Sequence, residues 1–175
     1  MNNIFILPGL GNSGEQHWQT RWEALHPSWK RILQDDWDTP VCADWVRRID
    51  ETLANIPDGT AVLIAHSSSC AAVAHLVQTT KHRIKSALLV APSDPLDAAY
   101  PAGPTGFAPV PLLRLPFPSM VVASENDEYI SLEQAQKYAE AWGSRLVNIG
   151  AKGHINSSSG LGDWEEGLAL LSELL

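Results

Sequence analysis

Short apolar runs alternate with longer segments of helical period along most of this chain. Ile4–Leu7 is the first such run and reads as a buried strand, closed by Pro8-Gly9. His17–Leu25 has a helical pattern and stops before Pro27. Arg31–Gln34 forms a weaker second strand. Thr39-Pro40 has the form of a helix start, with Thr at the N-cap and Pro at the first helical position. Val41, Trp45, Ile49, Leu53 and Ile56 then recur on one face up to Pro57. Ala61–Ala65, Ala87–Ala91, Met120–Ala123 and Arg145–Ile149 are four further strands, and Cys70–Thr79 is the helix behind the first of these. Ser131 and Gln134 form a capping box before a helix that buries Leu132, Ala135, Ala139 and Trp142. Asp163 and Glu166 predict a second box, before a helix that buries Trp164, Leu168, Leu171 and Leu175.

Strands that alternate with helices need crossover connections, so they pair in parallel with helices on both faces. The pattern predicts an α/β fold: a three-layer αβα sandwich around a six-stranded, mainly parallel sheet. A chain of 175 residues suits one domain over residues 1–175 with a core of its own. One stretch breaks the alternation. Residues 92–118 hold eight of the twelve prolines and predict a flap or loop insertion over the site. Tyr100, Phe107, Leu112 and Leu113 are its candidate apolar lining residues.

Composition narrows the function classes. A net charge of −8 and the lack of a basic stripe argue against nucleic acid or an anionic membrane as partner. The opening Met1-Asn2-Asn3 is not basic, and the apolar run after it is short, so neither a leader nor a membrane span is expected and the predicted location is cytoplasmic. Cys42 and Cys70 lack the spacing of a zinc or redox site. Reduced buried thiols are the expectation, with a Cys42–Cys70 bridge as the alternative. Neither metal nor organic cofactor is called for, and oligomeric state is left open.

Candidate chemistry concentrates at Leu63-Ile64-Ala65-His66-Ser67-Ser68-Ser69-Cys70-Ala71-Ala72. An apolar strand meets a short polar turn and then a helix of small residues. This is the setting of a nucleophile elbow, which holds a serine clear of the backbone. The G-x-S-x-G pattern is degraded here, with Ala65 and Ser69 in place of the glycines. The same stretch also fits a simple helix cap. A serine nucleophile needs a base, and the base needs an acid to orient it. Asp127 follows the fifth strand in Ser124-Glu125-Asn126-Asp127-Glu128, and His154 follows the sixth in Gly150-Ala151-Lys152-Gly153-His154. Both loops leave the C-terminal ends of parallel strands, where open α/β sheets build their sites. Glu125 and Glu128 are rival acids. His66 should point away from the Ser67 hydroxyl, and His26, His75 and His82 should be structural or solvated. The oxyanion donors would be the N–H of Ser68 and an N–H from Pro8-Gly9-Leu10-Gly11-Asn12-Ser13-Gly14, with Leu10 first and Gly11 next. The spacing of Gly9, Gly11 and Gly14 also matches a bare dinucleotide fingerprint, but no acidic strand end stands in clear context about 20 residues on.

Together these motifs make the chain resemble the YdeN-like family of small α/β-hydrolases, related to retinoblastoma-binding protein 9. The matching pieces are Pro8-Gly9-Leu10-Gly11-Asn12-Ser13 with His17-Trp18, then Asp36-Trp37-Asp38 with Pro40, Ala65-His66-Ser67, Asn126-Asp127 and Gly153-His154-Ile155-Asn156. The resemblance implies a minimal six-stranded α/β-hydrolase fold and a triad of Ser67, Asp127 and His154. Family members often carry Leu-Gly after the serine, where this chain has Ser68-Ser69. An L-x-C-x-E motif is absent, so no retinoblastoma-protein partner is implied. His17 and Trp18, just past the glycine loop, become candidate substrate-binding residues. The expected function is hydrolysis of an ester, or of a thioester or amide, on a small-molecule acyl substrate. A non-catalytic protein with the same fold and an acyltransferase with the same triad are the alternatives.

Overall fold

The computed structural model describes residues 2–175. Six strands form one sheet: β1 (Asn3–Leu7), β2 (Lys30–Arg31), β3 (Ala61–His66), β4 (Ile84–Val90), β5 (Ser119–Ala123) and β6 (Arg145–Asn148). Five α-helices alternate with them: α1 (Trp18–Leu25), α2 (Cys42–Leu53), α3 (Ser68–Leu76), α4 (Leu132–Trp142) and α5 (Glu165–Ser172). The sheet order is β2-β1-β3-β4-β5-β6 and every pairing is parallel.

The period-2 alternation of the strands sorts their side chains onto two faces. Phe5, Leu7, Leu63, Ala65, Leu89 and Val121 pack with Trp45, Ile49, Cys70, Ala135 and Trp142 from α2, α3 and α4. Ile4, Ile6, Val62, Ile64, Leu88, Val90 and Val122 pack with Trp18 and Trp22 of α1, Trp164 and Leu171. Both faces are covered, which is why the central strands read as unbroken apolar runs. The chain leaves β1 toward β2 on one side and returns to β3 on the other. The ends of β1 and β3, with Leu7 beside Ala65, therefore bound a crevice at the point where the winding reverses.

Several sequence expectations are corrected. The second strand spans two residues, because β2 is an edge strand and beyond buried Ile32 the next apolar residue, Leu33, faces solvent. Thr39 does not cap α2. The Asp36 carboxylate takes the Thr39 N–H and hydroxyl, both at 2.9 Å, and the helix starts after Val41, which is exposed. Asp163 does not cap α5 either. Its carboxylate lies 2.6 Å from Arg21 Nε and its carbonyl accepts from Trp22 Nε1 at 2.7 Å. Trp164 then turns the chain at a φ of 44° and lays its ring where a Cβ on Gly167 would stand, only 2.4 Å away. Leu175 is exposed. In α4, Ser131 Oγ accepts the Gln134 N–H at 3.1 Å.

Residues 92–118 carry no helix or strand, yet they are anchored. Phe107, Val110, Leu115 and Phe117 are buried on the α2–α3–α4 side. Cys42 N–H donates to Thr105 O, Thr105 N–H to Pro40 O, and Trp142 Nε1 to Pro111 O. Phe107 is therefore a core residue, in edge contact with Trp45, and Leu112 and Leu113 face solvent. Of the proposed lining residues only Tyr100 reaches the cavity described below. Cys42 and Cys70 are free, buried thiols, and burial pushes Cys42 up to about 12. Among the described residues, no helix is long and apolar enough to cross a membrane.

Candidate active site

Ser67 stands between β3 and α3 with φ 58° and ψ −126°. Few non-glycine residues hold such angles, and this strain is the signature of a serine presented on a sharp strand-to-helix turn. The turn is held on two sides. Ser67 N–H donates to Val90 O at 3.0 Å, and Ser67 O accepts from Cys70 N–H at 3.0 Å. Gly9 passes so close that a Cβ there would lie 2.7 Å from Ser67 Cβ. The glycine that the elbow pattern lacks at position 69 is compensated. Ser69 turns its hydroxyl to Pro8 O at 2.6 Å and ties the start of α3 to the glycine loop.

His154 Nε2 lies 2.8 Å from Ser67 Oγ, and His154 Nδ1 lies 2.9 and 2.8 Å from the two Asp127 oxygens. The Asp127 side chain is fully buried and that of His154 nearly so. Proton roles follow from the donors available. A carboxylate only accepts, so Nδ1 carries the proton, Nε2 accepts, and the Ser67 hydroxyl donates to it. Asp127 Oδ1 also accepts the Tyr129 N–H at 2.9 Å. The loops after β5 and β6 are laced together: Asn126 Oδ1 accepts from Gly153 N–H at 2.7 Å, and Ser124 Oγ from Lys152 N–H at 2.9 Å. Glu125 instead accepts from Asn148 at 3.0 Å on the surface, and Glu128 is exposed.

Leu10 lines the cavity above Ser67. Among the described residues, neither the Leu10 nor the Ser68 N–H donates to a backbone carbonyl, whereas Gly11 N–H is taken by Trp37 O at 2.8 Å. That favours Leu10 over Gly11 as a donor left free for a ligand. The cavity has a volume of about 440 Å³. Its walls are polar and apolar in equal measure, with Asn12, Ser93, Asn156 and Ser158 alongside Leu10 and the rings of Tyr100 and Tyr129.

Of the two candidate substrate-binding residues, His17 lines this cavity and Trp18 does not. Trp18 is buried between α1 and α5, packs edge-on against Trp22 and Trp164, and donates its Nε1 to Ile155 O at 2.8 Å. One step along a helix rotates a side chain by about 100°, which puts adjacent residues on different sides. His17 caps α1, with Nδ1 accepting the Gln19 N–H at 3.2 Å. Burial, with Arg31 and His154 nearby, lowers its pKa to about 4. His66 turns away from the Ser67 hydroxyl and donates from Nε2 to His154 O at 3.0 Å, and burial holds it well below the usual histidine range. His75 bonds Phe107 O at 3.1 Å.

Two buried residues escaped the sequence reasoning. Gln19 donates to Leu7 O at 3.2 Å and Ile64 O at 3.1 Å, and accepts from Ser13 Oγ at 2.6 Å, so it bridges β1, β3 and the glycine loop. Its signal was a polar residue in the first turn of a helix. Ser93 lies 2.7 Å from Ser67 Oγ. Its signal was a hydroxyl at the C-terminal end of a central strand, where the other reactive loops also lie. Among the described residues no His, Cys, Asp or Glu cluster could hold a metal ion.

Comparison with known proteins agrees with this fold. The serine hydrolase family matches residues 4–173. The structure of a YdeN-like hydrolase from Pectobacterium atrosepticum superposes with a TM-score of 0.86 at 35% identity, covering 99% of this chain and 90% of that one. The ydeN product of B. subtilis gives 0.75 at 16% identity, covering 99% and 98%. A butyrate-bound esterase, Est2 from Thermogutta terrifontis, gives 0.65 at 16% identity, covering 99% and 82%. The comparison with curated proteins finds no match. The chain thus belongs to the serine hydrolase family, in its YdeN-like group of small α/β-hydrolases.

Proposed function

We propose that this hydrolase cleaves an ester of a small acyl substrate through an acyl-enzyme on Ser67. The observation that carries this is the unbroken buried line from Ser67 Oγ through His154 to the Asp127 carboxylate, at 2.8 and 2.8–2.9 Å. His154 Nε2 takes the hydroxyl proton as Ser67 Oγ attacks the acyl carbon. The negative oxygen that develops is met by the Leu10 and Ser68 N–H groups, at the start of α3 where the helix dipole favours negative charge. His154 returns the proton to the leaving alkoxide. A water then gives a proton to Nε2 and attacks the acyl carbon; the carbon–Oγ bond breaks and Nε2 hands that proton to Oγ, which frees the acid and restores Ser67. Asp127 stays ionised throughout and stabilises the imidazolium.

A fluorophosphonate probe tests this directly. Folded protein is expected to be labelled on Ser67, and Ser67→Ala to be unlabelled. Equal labelling of the two proteins would overturn the assignment.

A further inference from the structure

Beside the nucleophile oxygen stands a second buried hydroxyl with no part in the proposed reaction. Ser93 follows β4 and is 3% exposed, with its Oγ 2.7 Å from Ser67 Oγ. Its place does not depend on that contact. Ala91, at a φ of 45°, donates its N–H to Val122 O at 2.8 Å and turns the chain back over the end of β3. On the other side, Asp94 N–H donates to Tyr129 O at 2.9 Å, in the loop that carries Asp127. Ser93 is thus clamped between the strand end that holds the Ser67 backbone and the loop that holds the acid.

Proton counting fixes the direction of the contact. The single Ser67 proton is committed to His154 Nε2, so the Ser93 hydroxyl must donate to Ser67 Oγ. We infer that Ser93 is a further catalytic residue, a fixed donor to the nucleophile oxygen whenever that oxygen carries negative charge. In acylation the Ser67 proton moves to Nε2 while the Oγ–carbon bond forms and the carbonyl π pair moves to the oxyanion. Charge builds on Oγ as the proton leaves, and the Ser93 O–H···O⁻ bond strengthens with it. In deacylation water gives its proton to Nε2 as its oxygen bonds the acyl carbon, the carbon–Oγ bond breaks, and the Nε2 proton passes to Oγ; the same hydroxyl stabilises the charge on Oγ until that proton arrives. Ser93 keeps its own proton in both steps. The ground state gains only a neutral hydrogen bond, so the difference acts on the transition states.

This inference rests on the ester-hydrolase reading, and one set of measurements separates the two. Native protein, Ser93→Ala and Ser93→Thr are compared for fluorophosphonate inactivation rate, for burst and steady-state turnover of a short p-nitrophenyl ester, and for thermal unfolding. Ser93→Ala should slow acylation and deacylation alike, by about 10- to 100-fold. KM for the ester and the melting temperature should change little. Ser93→Thr, which keeps the hydroxyl, should recover most of both rates. Native-like rates in Ser93→Ala, with native protein still labelled on Ser67, would overturn the role of Ser93 and leave the hydrolase reading standing. Rates lost equally in both variants alongside a lower melting temperature would make Ser93 a packing residue. Native protein that neither labels nor turns over would overturn both.

Discussion

Each member of the line from Ser67 through His154 to Asp127 is held in one orientation by its neighbours. Asp127 is pinned by the Tyr129 N–H and offers both oxygens to His154. Replacing it by asparagine would place an amide N–H against Nδ1 and favour the Nε2–H tautomer, which cannot accept the Ser67 proton. Asp127→Asn should therefore lower kcat by about 10³- to 10⁴-fold with the fold intact. Steady-state kinetics beside a circular-dichroism melt would check this, and a loss of less than tenfold would refute the proton assignment. His66 works at the same scale from behind. Its Nε2 proton fixes the His154 carbonyl, and its burial keeps it uncharged beside the base.

At the scale of elements, the site is made where β1 and β3 end side by side. The glycine loop after β1 presses against the elbow after β3, and two side chains sew them together: Ser69 to Pro8 O and Gln19 to Leu7 O and Ile64 O. Gly9 has no room for a side chain, since its Cβ would stand 2.7 Å from Ser67 Cβ and 3.0 Å from His66 O. Gly9→Ala should push the loop off the elbow and carry the Leu10 N–H out of reach. The expected result is a loss of about 10²-fold or more in turnover, the order seen for one oxyanion donor. Gly14, with open space around its Cβ position, is the control: Gly14→Ala should stay near native in turnover. Equal activity of the two variants would show that the Gly9 contact does not shape the site.

Across the whole molecule, the tight packing that builds the site also sets its response to acid. His17 is held at about 4 and His66 well below its usual range, both mainly by burial. In the unfolded chain both return to about 6.5 and take up protons first as pH falls. The unfolded state then binds more protons than the folded one, so stability is full above about pH 6.5 and declines as the pH drops toward the folded values. His17 alone corresponds to about 2 kcal/mol lost between pH 6.5 and 5. Urea melts at pH 7 and 5 would show it as a lower midpoint in acid, and a midpoint that does not move would count against neutral buried histidines.

The order of strands and helices was legible because burial on two sides writes unbroken apolar runs, and helices between them write period 3.6. Ser67, Asp127 and His154 were legible because each follows a strand at the same edge of such a sheet. Local capping was less so. Thr39 and Asp163 have the right residue types, yet Asp36 and Arg21 compete for them from outside the pattern. Trp18 and Phe107 went to the core for a related reason: an aromatic ring serves packing and binding alike, and only its neighbours decide which. The sequence by itself determined the class of fold and the strand ends at which Ser67, Asp127 and His154 stand, since both follow from periodicity and position along the chain. Only the tertiary structure decided the contacts between loops far apart in sequence: Ser93 on Ser67, Gly9 under the elbow, Gln19 between β1 and β3. Those contacts depend on distances across the sheet edge, which no local pattern of residues encodes.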